Sequence, residues 1–231
     1  MKNFIKKIKP FEIILISIAI FFSFTLYLSI PVLFNYESFG DKLEKEINKD
    51  FKIHLKNISG IKYNFIPSPH LIIEQSDLYL DKNEKVEIAK IKKLKIYLSL
   101  IQLYRDKKIN IKEIYIKNAN LYFNYNHLKN FYEHLNTKIT KKIVIQNSNF
   151  FYKNKLGEVT TISPVKKLDY FIDLKNKQKN LNIVGNLFDI DYKFLWEKNY
   201  QNPNLSESNI KFKNPNIKIN NKTYRDIEND N

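Results

Sequence analysis

Strict two-residue alternation of apolar and polar side chains recurs after residue 51, and it constrains the fold more than any other feature. The longest run lies in FDIDYKFLW, whose alternating apolar members are Phe188, Ile190, Tyr192, Phe194 and Trp196. Successive side chains of a strand point to opposite faces, so this spacing predicts strands with one apolar face and one solvated face. The sequence therefore predicts a mainly β body.

Four other segments show the same period. Their apolar members are Phe51, Ile53 and Leu55; Leu94, Ile96, Leu98 and Leu100; Ala119, Leu121, Phe123 and Tyr125; and Leu168, Tyr170, Ile172 and Leu174. The chain has only 4 glycines, so its turns are expected to use Asn, Asp and Lys. Antiparallel strands joined by short turns are the simplest arrangement of such segments.

One short helix is predicted between the N-terminal apolar segment and the first strand, from Ser38 to Phe51. Ser38 and Asp41 have the spacing of a capping box. The apolar face predicted for this helix consists of Phe39, Leu43 and Ile47. We expect it to cover the membrane-near end of the β body, and the alternative is a helix lying on the bilayer surface.

The only other helical candidate is HLKNFYEHLNTKI, His127 to Ile139. Neither helix is long enough to cover a sheet of eight or more strands. The apolar face must then close on a second sheet as a sandwich, or line a groove. Periodicity alone leaves both architectures open.

The N-terminus combines a basic tail, residues 1–10, with an apolar segment, residues 11–34. Ile13 to Ile30 carries no charge, and at 1.5 Å per residue the apolar segment spans roughly 30 Å, the thickness of a hydrocarbon core. The alternative of a cleaved signal peptide is disfavoured by the length and by the missing small-x-small site. Lysines before the segment predict a cytoplasmic N-terminus and a body across the membrane.

The net charge of +15 does not predict a nucleic-acid partner. Arg105 and Arg225 are the only arginines, although phosphate recognition favours Arg. The lysines alternate with acids, and the abundance of Lys, Asn and Ile is typical of an AT-rich genome. The chain has no cysteine, which excludes disulfides and thiolate metal sites.

No constellation for catalysis or metal binding is evident, and no cofactor is predicted. The four histidines are His54, His70, His127 and His134, and they are interpreted as surface residues without metal-ligand spacing. Asp189 and Asp191 are interpreted as solvent-facing partners of the apolar run. Phosphate-loop, nucleophile-elbow and zinc-protease motifs are absent from the sequence. We therefore expect a protein that is not an enzyme.

Beyond the anchor, several stretches follow one another in a recognisable order. Gly60 opens a strand, Pro67 and Pro69 lead into an apolar strand, and Asp77-Leu78-Tyr79-Leu80 closes it. Proline cannot donate to a sheet ladder and restricts the residue before it, so the pair predicts a turn or an edge.

Later stretches continue this order. Leu94 to Phe123 is close to the pattern I-x-I-x-x-I-x-I-x-x-A-x-L, and Lys141 to Leu174 and Leu181 to Trp196 read as a further repeat. In order and spacing, over most of its length, the chain resembles the AsmA family of bacterial envelope proteins.

The resemblance implies an elongated, curved antiparallel sheet with a short capping helix behind one transmembrane helix. The chain then divides into five regions: basic tail 1–10, anchor 11–34, capping helix 35–50, an AsmA-like groove domain 51–219 and a tail 220–231 whose polar composition predicts disorder. The body would lie in the periplasm, with the anchor in the bacterial inner membrane. The groove would carry phospholipid acyl chains in outer-membrane homeostasis.

The groove candidates are the alternating apolar residues. They are Leu94, Ile96, Leu98, Leu100, Leu121, Phe123, Tyr170, Ile172, Phe188, Ile190, Tyr192, Phe194 and Trp196. Pro67 and Pro69 are expected to protect an exposed sheet edge from self-association. Members of the family are usually several times longer, so a groove this short is expected to act near the inner membrane or within an assembly. The alternative is a structural or adaptor β-domain that recruits an envelope protein partner.

Overall fold

A computed structural model describes residues 10–30, 40–80, 86–99, 102, 109–125, 141–202 and 204–224. The predicted second helix, His127 to Ile139, and the groove candidate Leu100 lie outside these residues. Two helices precede a single large sheet.

Helix α1 spans Pro10–Ser29, and none of its residues is buried. Its most apolar window has a mean hydropathy of 2.2, and a helix of this length reaches about 30 Å. The hydroxyls of Ser17 and Thr25 donate to the carbonyls of Ile13 and Phe21, so these polar groups are satisfied within the helix. By length and composition α1 is able to cross a membrane.

Helix α2 spans Gly40–Phe51 and is amphipathic, as predicted. Its buried residues are Leu43, Ile47 and Phe51. The helix ends where Lys52 adopts a left-handed φ of 55°, the usual conformation of a residue after a helix C-terminus. Ser38 and Phe39, which the sequence places in the cap and on the apolar face, lie outside the described residues.

Twelve strands form one sheet. They are β1 His54–Ser59, β2 Lys62–Asn64, β3 His70–Ile73, β4 Gln75–Tyr79, β5 Glu87–Leu98, β6 Ile111–Asn124, β7 Lys142–Lys153, β8 Val159–Asp173, β9 Gln178–Leu187, β10 Ile190–Asn199, β11 Leu205–Phe212 and β12 Lys218–Tyr224. The order is β1-β4-β5-β6-β7-β8-β9-β10-β11-β12, with β2 and β3 pairing beside β5. The predicted mainly β fold with an open, curved sheet is confirmed, because β1 and β12 are not paired with each other.

The pairing differs from the prediction at one place: β6 and β7 are parallel. Both strands start at the same end of the sheet, so the chain must cross back between them. All other pairs in the sheet are antiparallel.

We call the end of the sheet where β6 and β7 begin the proximal end, and the opposite end the distal end. In β2, the Tyr63 hydroxyl donates to the Leu28 carbonyl of α1 over 3.0 Å. Tyr63 pairs with Leu71 of β3, which pairs with Ile96 near the end of β5. The proximal end is therefore the end that touches α1.

A crease crosses β5 to β8 and reverses the alternation of their side chains. Asn118 in β6 and Asn147 in β7 have left-handed φ values of 56° and 49°, which Asn tolerates better than most residues. In β8 the register with β9 shifts between Val165 and Lys167. Such irregularities bend a sheet and change which residues face one side. The sheet can therefore curve here while its apolar side chains stay on one face.

The C-terminal strand corrects one prediction. Residues 218–224 form β12, which pairs with β11 from Leu205↔Tyr224 to Lys211↔Lys218, whereas the sequence predicts a disordered tail from residue 220. Every side chain of β12 is exposed. The polar composition suggested disorder, but backbone hydrogen bonds to β11 require no apolar side chains. Residues 225–231 lie outside the description.

Pro67 and Pro69 lie in the turn between β2 and β3, at the proximal end, and the Ile66–Pro67 bond is cis. The interpretation of these prolines as protection of an edge strand does not hold, because β3 pairs with β2 on one side and β5 on the other. The Pro69 carbonyl accepts a hydrogen bond from the Leu98 N–H over 3.4 Å. The prolines thus shape a turn, and the sheet edges are β1 with β2 and, on the far side, β12.

Candidate functional site

An apolar cavity of about 260 Å³ lies on the concave face of the sheet, beside α2. It is lined by Phe51, Ile53, Leu78, Leu80, Ile88, Ile116, Leu121, Phe123, Ile143, Ile145, Phe150, Tyr152, Leu168, Tyr170, Leu181 and Ile183. The two tyrosine hydroxyls are the only side-chain polar atoms among these residues. The walls of the cavity therefore offer a ligand almost only apolar contacts, as is usual for pockets that bind apolar groups.

The crease explains how so many strands contribute to one cavity. In β6, Ile116 precedes Asn118 and Leu121 follows it, and an uninterrupted strand would place these two side chains on opposite faces. The left-handed residue Asn118 brings both into the cavity. Ser148 holds the adjacent strand in place by accepting the Ala119 N–H over 3.0 Å.

Helix α2 forms the wall opposite the sheet at one side of the cavity. Phe51, its last residue, lines the cavity together with Ile53. The Glu44 carboxylate of α2 lies 3.2 Å from the Lys56 ammonium of β1, and α2 also contacts β6. These contacts fix the helix over the strands β1 to β6.

Three predicted groove residues, Leu121, Phe123 and Tyr170, line the cavity. Phe123 also packs against Phe150, with ring centroids 4.9 Å apart. These residues come from β6 and β8, which the parallel strand β7 separates. The sequence pattern therefore identified residues that the sheet brings onto one wall.

Leu94, Ile96 and Leu98 lie on the same face but are not accessible. They belong to the buried cluster that includes Leu43 and Ile47 of α2, and Ile96 is 0% exposed. Helix α2 packs into this cluster, and this part of the face is buried. These three residues therefore form the core of the domain and do not line an open groove.

The β10 residues extend the apolar face beyond the cavity. Phe194 and Trp196 pair with the cavity residues Ile183 and Leu181, and directly paired residues share a face. By the same alternation Tyr192 and Ile190 continue this face toward the distal end. All four β10 residues are half-buried. Ile172 of β8 lies at the proximal end, paired with Lys179.

Phe188 does not belong to the face. It is 74% exposed and, with Asp189, forms the turn between β9 and β10, at φ values of 51° and 61°. Positive φ at both central residues is the requirement of a two-residue hairpin turn. The alternation continued through the turn in the sequence, so this residue could not be separated from the strand by pattern alone.

Thirteen cavity residues were not among the predicted groove candidates, and four of them, Ile143, Ile145, Phe150 and Tyr152, belong to β7. In IVIQNSNFFY the alternation changes parity at Asn147. An asparagine at the point where apolar parity reverses was the signal that could have revealed them.

Polar groups collect at the proximal end of the concave face. The Lys179 ammonium lies 5.8 Å from the centroid of the Tyr200 ring, and Lys179 is paired with Lys198 of β10. Burial, and secondarily the Lys198 charge, lower the pKa of Lys179. Burial, and secondarily Tyr200, raise the pKa of Tyr170 to about 12. This end of the face is cationic, and the Tyr170 phenol keeps its proton at ordinary pH.

The histidines and acids of the described residues do not form a reactive group. His70 is fully buried, contrary to its interpretation as a surface residue, because its ring stacks on Tyr97 and its Nδ1 donates to the Ser68 carbonyl. Asp191 accepts from the Lys166 ammonium over 3.1 Å, which lowers the pKa of that carboxyl. Within the described part of the chain no group of three His, Cys, Asp or Glu could hold a metal ion.

Comparison with protein-family models and curated proteins identifies no family for this chain. No protein-family model and no curated protein matches the sequence. The similarity to the AsmA family therefore stays a prediction.

Proposed function

We propose that this protein binds acyl chains of membrane phospholipid on the concave face of its sheet and conveys them from the bilayer. The observation that carries the proposal is the apolar cavity, which is built from seven elements and joined by Phe194 and Trp196 of β10 to a wider apolar face. Soluble domains rarely leave contiguous apolar surface open unless it binds something.

The size of the cavity suits part of a lipid. Its volume of about 260 Å³ lies just below the range of about 300–1,000 Å³ that is usual for pockets holding drug-sized ligands. Each methylene group removed from water contributes about 0.8 kcal/mol. A single acyl chain lying along the cavity and the β10 face would gain several kcal/mol from burial alone.

The contact between α1 and the sheet supports entry from the membrane. If α1 crosses the bilayer, the hydrogen bond between Tyr63 and Leu28 holds the proximal end of the sheet at the membrane surface. An acyl chain leaving the bilayer would then meet the concave face first at that end. With the basic tail in the cytoplasm, the body would lie in the periplasm of a bacterial envelope, as in an AsmA-like protein.

The reach of the sheet limits the proposal to short distances. Ten strands lie in the main path, and a spacing of about 4.8 Å between neighbours gives an extent of about 43 Å. A protein of this extent would handle lipid near the inner membrane or hand it to a further component. It would contribute to outer-membrane homeostasis as one part of a pathway.

The single tryptophan of the chain supplies the test, because Trp196 lies on the apolar face. The full chain is reconstituted in vesicles that contain phospholipid with brominated acyl chains, which quench tryptophan fluorescence on contact. We expect quenching of Trp196, together with phospholipid that copurifies with the protein and is detected by mass spectrometry.

Two neighbouring residues of β9 give a matched pair of variants. Ile183→Phe fills the cavity, whereas Val184→Phe adds the same bulk on the opposite face, where Val184 is exposed. We expect Ile183→Phe to reduce both quenching and copurified lipid, and Val184→Phe to leave them unchanged. A folded protein with neither quenching nor bound lipid would overturn the proposal and favour the adaptor role.

A further inference from the structure

The proximal end of the concave face carries a polar cluster whose geometry follows from strand register. Ile172, Lys179 and Lys198 are neighbours in one row across β8, β9 and β10. The next row toward the distal end consists of Tyr170, Leu181 and Trp196. Because side chains two residues apart share a face, the lysines lie directly beside the apolar cavity.

Tyr170 places an unpartnered hydroxyl at this boundary. Its side chain lines the cavity and is 3% exposed. Its hydroxyl oxygen is buried and makes no hydrogen bond within the described residues. Buried polar atoms are nearly always paired, so an orphan donor beside an empty cavity indicates a missing acceptor. The pKa of this phenol is raised to about 12, so the hydroxyl keeps its proton at ordinary pH and would act as the hydrogen-bond donor to an anion.

Lys179 brings positive charge to the neighbouring row of the same face. It is 5% exposed, and the directly opposite residue on β10 is Lys198. Like charges on directly opposed strand positions repel each other. An anionic group that accepts the hydrogen bond of the Tyr170 hydroxyl would lie next to the row that holds these two lysines.

We propose that the concave face selects amphiphiles with an anionic head group, whose acidic oxygens bind at Tyr170 and Lys179. The acyl chain would run from there toward the distal end through the cavity. The shared chemistry is an anionic oxygen on an acyl-chain compound, either the phosphate of a phospholipid or the carboxylate of a fatty acid. This inference rests on the proposed lipid-binding function and adds the class of lipid and its orientation.

The test compares vesicles that differ only in which lipid carries bromine. All vesicles contain phosphatidylcholine and a fixed minor fraction of phosphatidylglycerol, so their surface charge is the same. In one arm the phosphatidylglycerol chains are brominated, and in the second an equal amount of the phosphatidylcholine is brominated. All vesicles also contain the same small amount of a fatty acid, which is brominated only in a third arm. We expect half-maximal quenching of Trp196 at about tenfold less brominated phosphatidylglycerol or fatty acid than brominated phosphatidylcholine, as is typical for one charge-assisted hydrogen bond.

Variants separate the head-group site from general attraction to an anionic surface. Lys179→Gln and Tyr170→Phe should each reduce the preference to about twofold or less. Lys193→Gln removes the same charge from an exposed position on the other face of β10 and should keep the preference. Lys179→Arg, which retains the charge, should keep most of it and shows that loss in Lys179→Gln is not a folding defect.

The outcomes distinguish this inference from the function on which it rests. Equal quenching by the two brominated phospholipids and no preference for the fatty acid would overturn the inference and leave acyl-chain binding intact. A preference that survives in both Lys179→Gln and Tyr170→Phe would also overturn it. The absence of quenching in every arm would overturn the proposed function itself. A preference confined to the fatty acid would support the site and identify a carboxylate as its ligand.

The pH dependence of the preference gives an independent measurement. On the paired strand β10 the charge of Lys198 acts on Lys179, and the Lys179 ammonium lies 5.8 Å from the centroid of the Tyr200 ring. The pKa of Lys179 is below its usual 10.5, so its charge is lost as pH rises through that lowered value. The preference for anionic lipid should therefore decline at a lower pH than it would if an exposed lysine bound the head group. Lys179→Arg should remove the decline. A preference that is constant up to pH 10.5 in the unmodified chain would count against Lys179 as the ligand.

Discussion

Two parts of the sheet, here called the covered side and the open side, share the alternating pattern on one face but differ in whether helix α2 packs against that face. On one side, α2 contacts β1 and β6 and shares a buried cluster with residues of β5, and Ile96 is 0% exposed. On the other side, β9 to β12 have no helix over them in the described residues, and Ile219 of β12 is 51% exposed. Both residues belong to apolar positions that alternate with polar ones. Alternation therefore sets the face of a side chain, and the cover sets its burial.

From this difference we expect the covered side to determine the stability of the domain and the open side to determine lipid binding. The covered side supplies a dry core with fully buried leucines and isoleucines, which is what makes the domain fold. The open side keeps apolar side chains half-buried, and the cavity lies where the two sides meet. We expect variants on the covered side to change the free energy of unfolding, and variants on the open side to change lipid binding.

The largest expected difference is between two isoleucine-to-alanine substitutions, one on each side. Ile96→Ala deletes a fully buried side chain beneath α2 and should lower the free energy of unfolding by about 3–4 kcal/mol, as is usual for a cavity left in a core. Ile210→Ala acts on β11, where Ile210 is half-buried beside Phe194, and should cost less than about 1.5 kcal/mol. Urea unfolding followed by Trp196 fluorescence measures both. Equal losses would contradict the division between a covered and an open side.

The sequence could predict the existence of the two sides but not their boundary. Leu94, Ile96 and Leu98 have the same pattern as Phe194 and Trp196, but the first set packs in one buried cluster with Leu43 and Ile47 of α2 and the second set does not. The helix itself was predictable from Leu43 and Ile47. Which strands it would cover depends on sheet order, and order is set by long-range pairing that no local pattern contains.

Two other features lay outside the reach of local patterns for related reasons. Parity reversal at Asn118 and Asn147 looks like the end of one strand and the start of another, whereas each strand continues through it. The parallel pairing of β6 and β7 depends on where the intervening chain crosses. The open curved sheet was expected from the resemblance to the AsmA family, whereas the lack of a long helix left a closed sandwich open as well.

A second variant tests how the two sides are joined. Gly185 of β9 lies under the Tyr192 ring, and the Tyr192 hydroxyl reaches Ser163 of β8 at 3.2 Å. A Cβ at position 185 would lie 2.8 Å from the Pro164 carbonyl oxygen, a backbone atom that cannot move aside easily. Gly185→Ala should therefore cost about 1–3 kcal/mol of unfolding free energy.

The control for this substitution is Gly40→Ala, because a Cβ at Gly40 meets nothing within 4 Å. Its thermal midpoint should stay close to that of the unmodified chain or rise slightly, since alanine favours a helix more than glycine does. A similar shift for both variants would show that the close packing around Gly185 carries no stability.

A third variant separates stability from ligand binding at one atom. Tyr170→Phe removes the buried hydroxyl that lacks a partner within the described residues. Removing an unsatisfied buried polar group should raise the free energy of unfolding of delipidated protein by about 1–2 kcal/mol. The measurement is urea unfolding after lipid extraction. An unchanged or lower stability would mean that the hydroxyl is already satisfied in the folded chain.

The smallest expected effect tests the crease, which runs from the covered strands β5 and β6 through β7 to β8. Asn118 has a φ of 56°, a conformation that costs alanine about 1 kcal/mol and glycine nothing. Asn118→Ala should lower the free energy of unfolding by about 1 kcal/mol, whereas Asn118→Gly should stay within about 0.5 kcal/mol of the unmodified chain. Asn182→Ala, in β9 outside the crease and without positive φ, is the control and should change stability little. If alanine and glycine at position 118 behave alike, the left-handed backbone is not what holds the two halves of β6 on one face, and the curvature of the covered side must come from side-chain packing beneath α2.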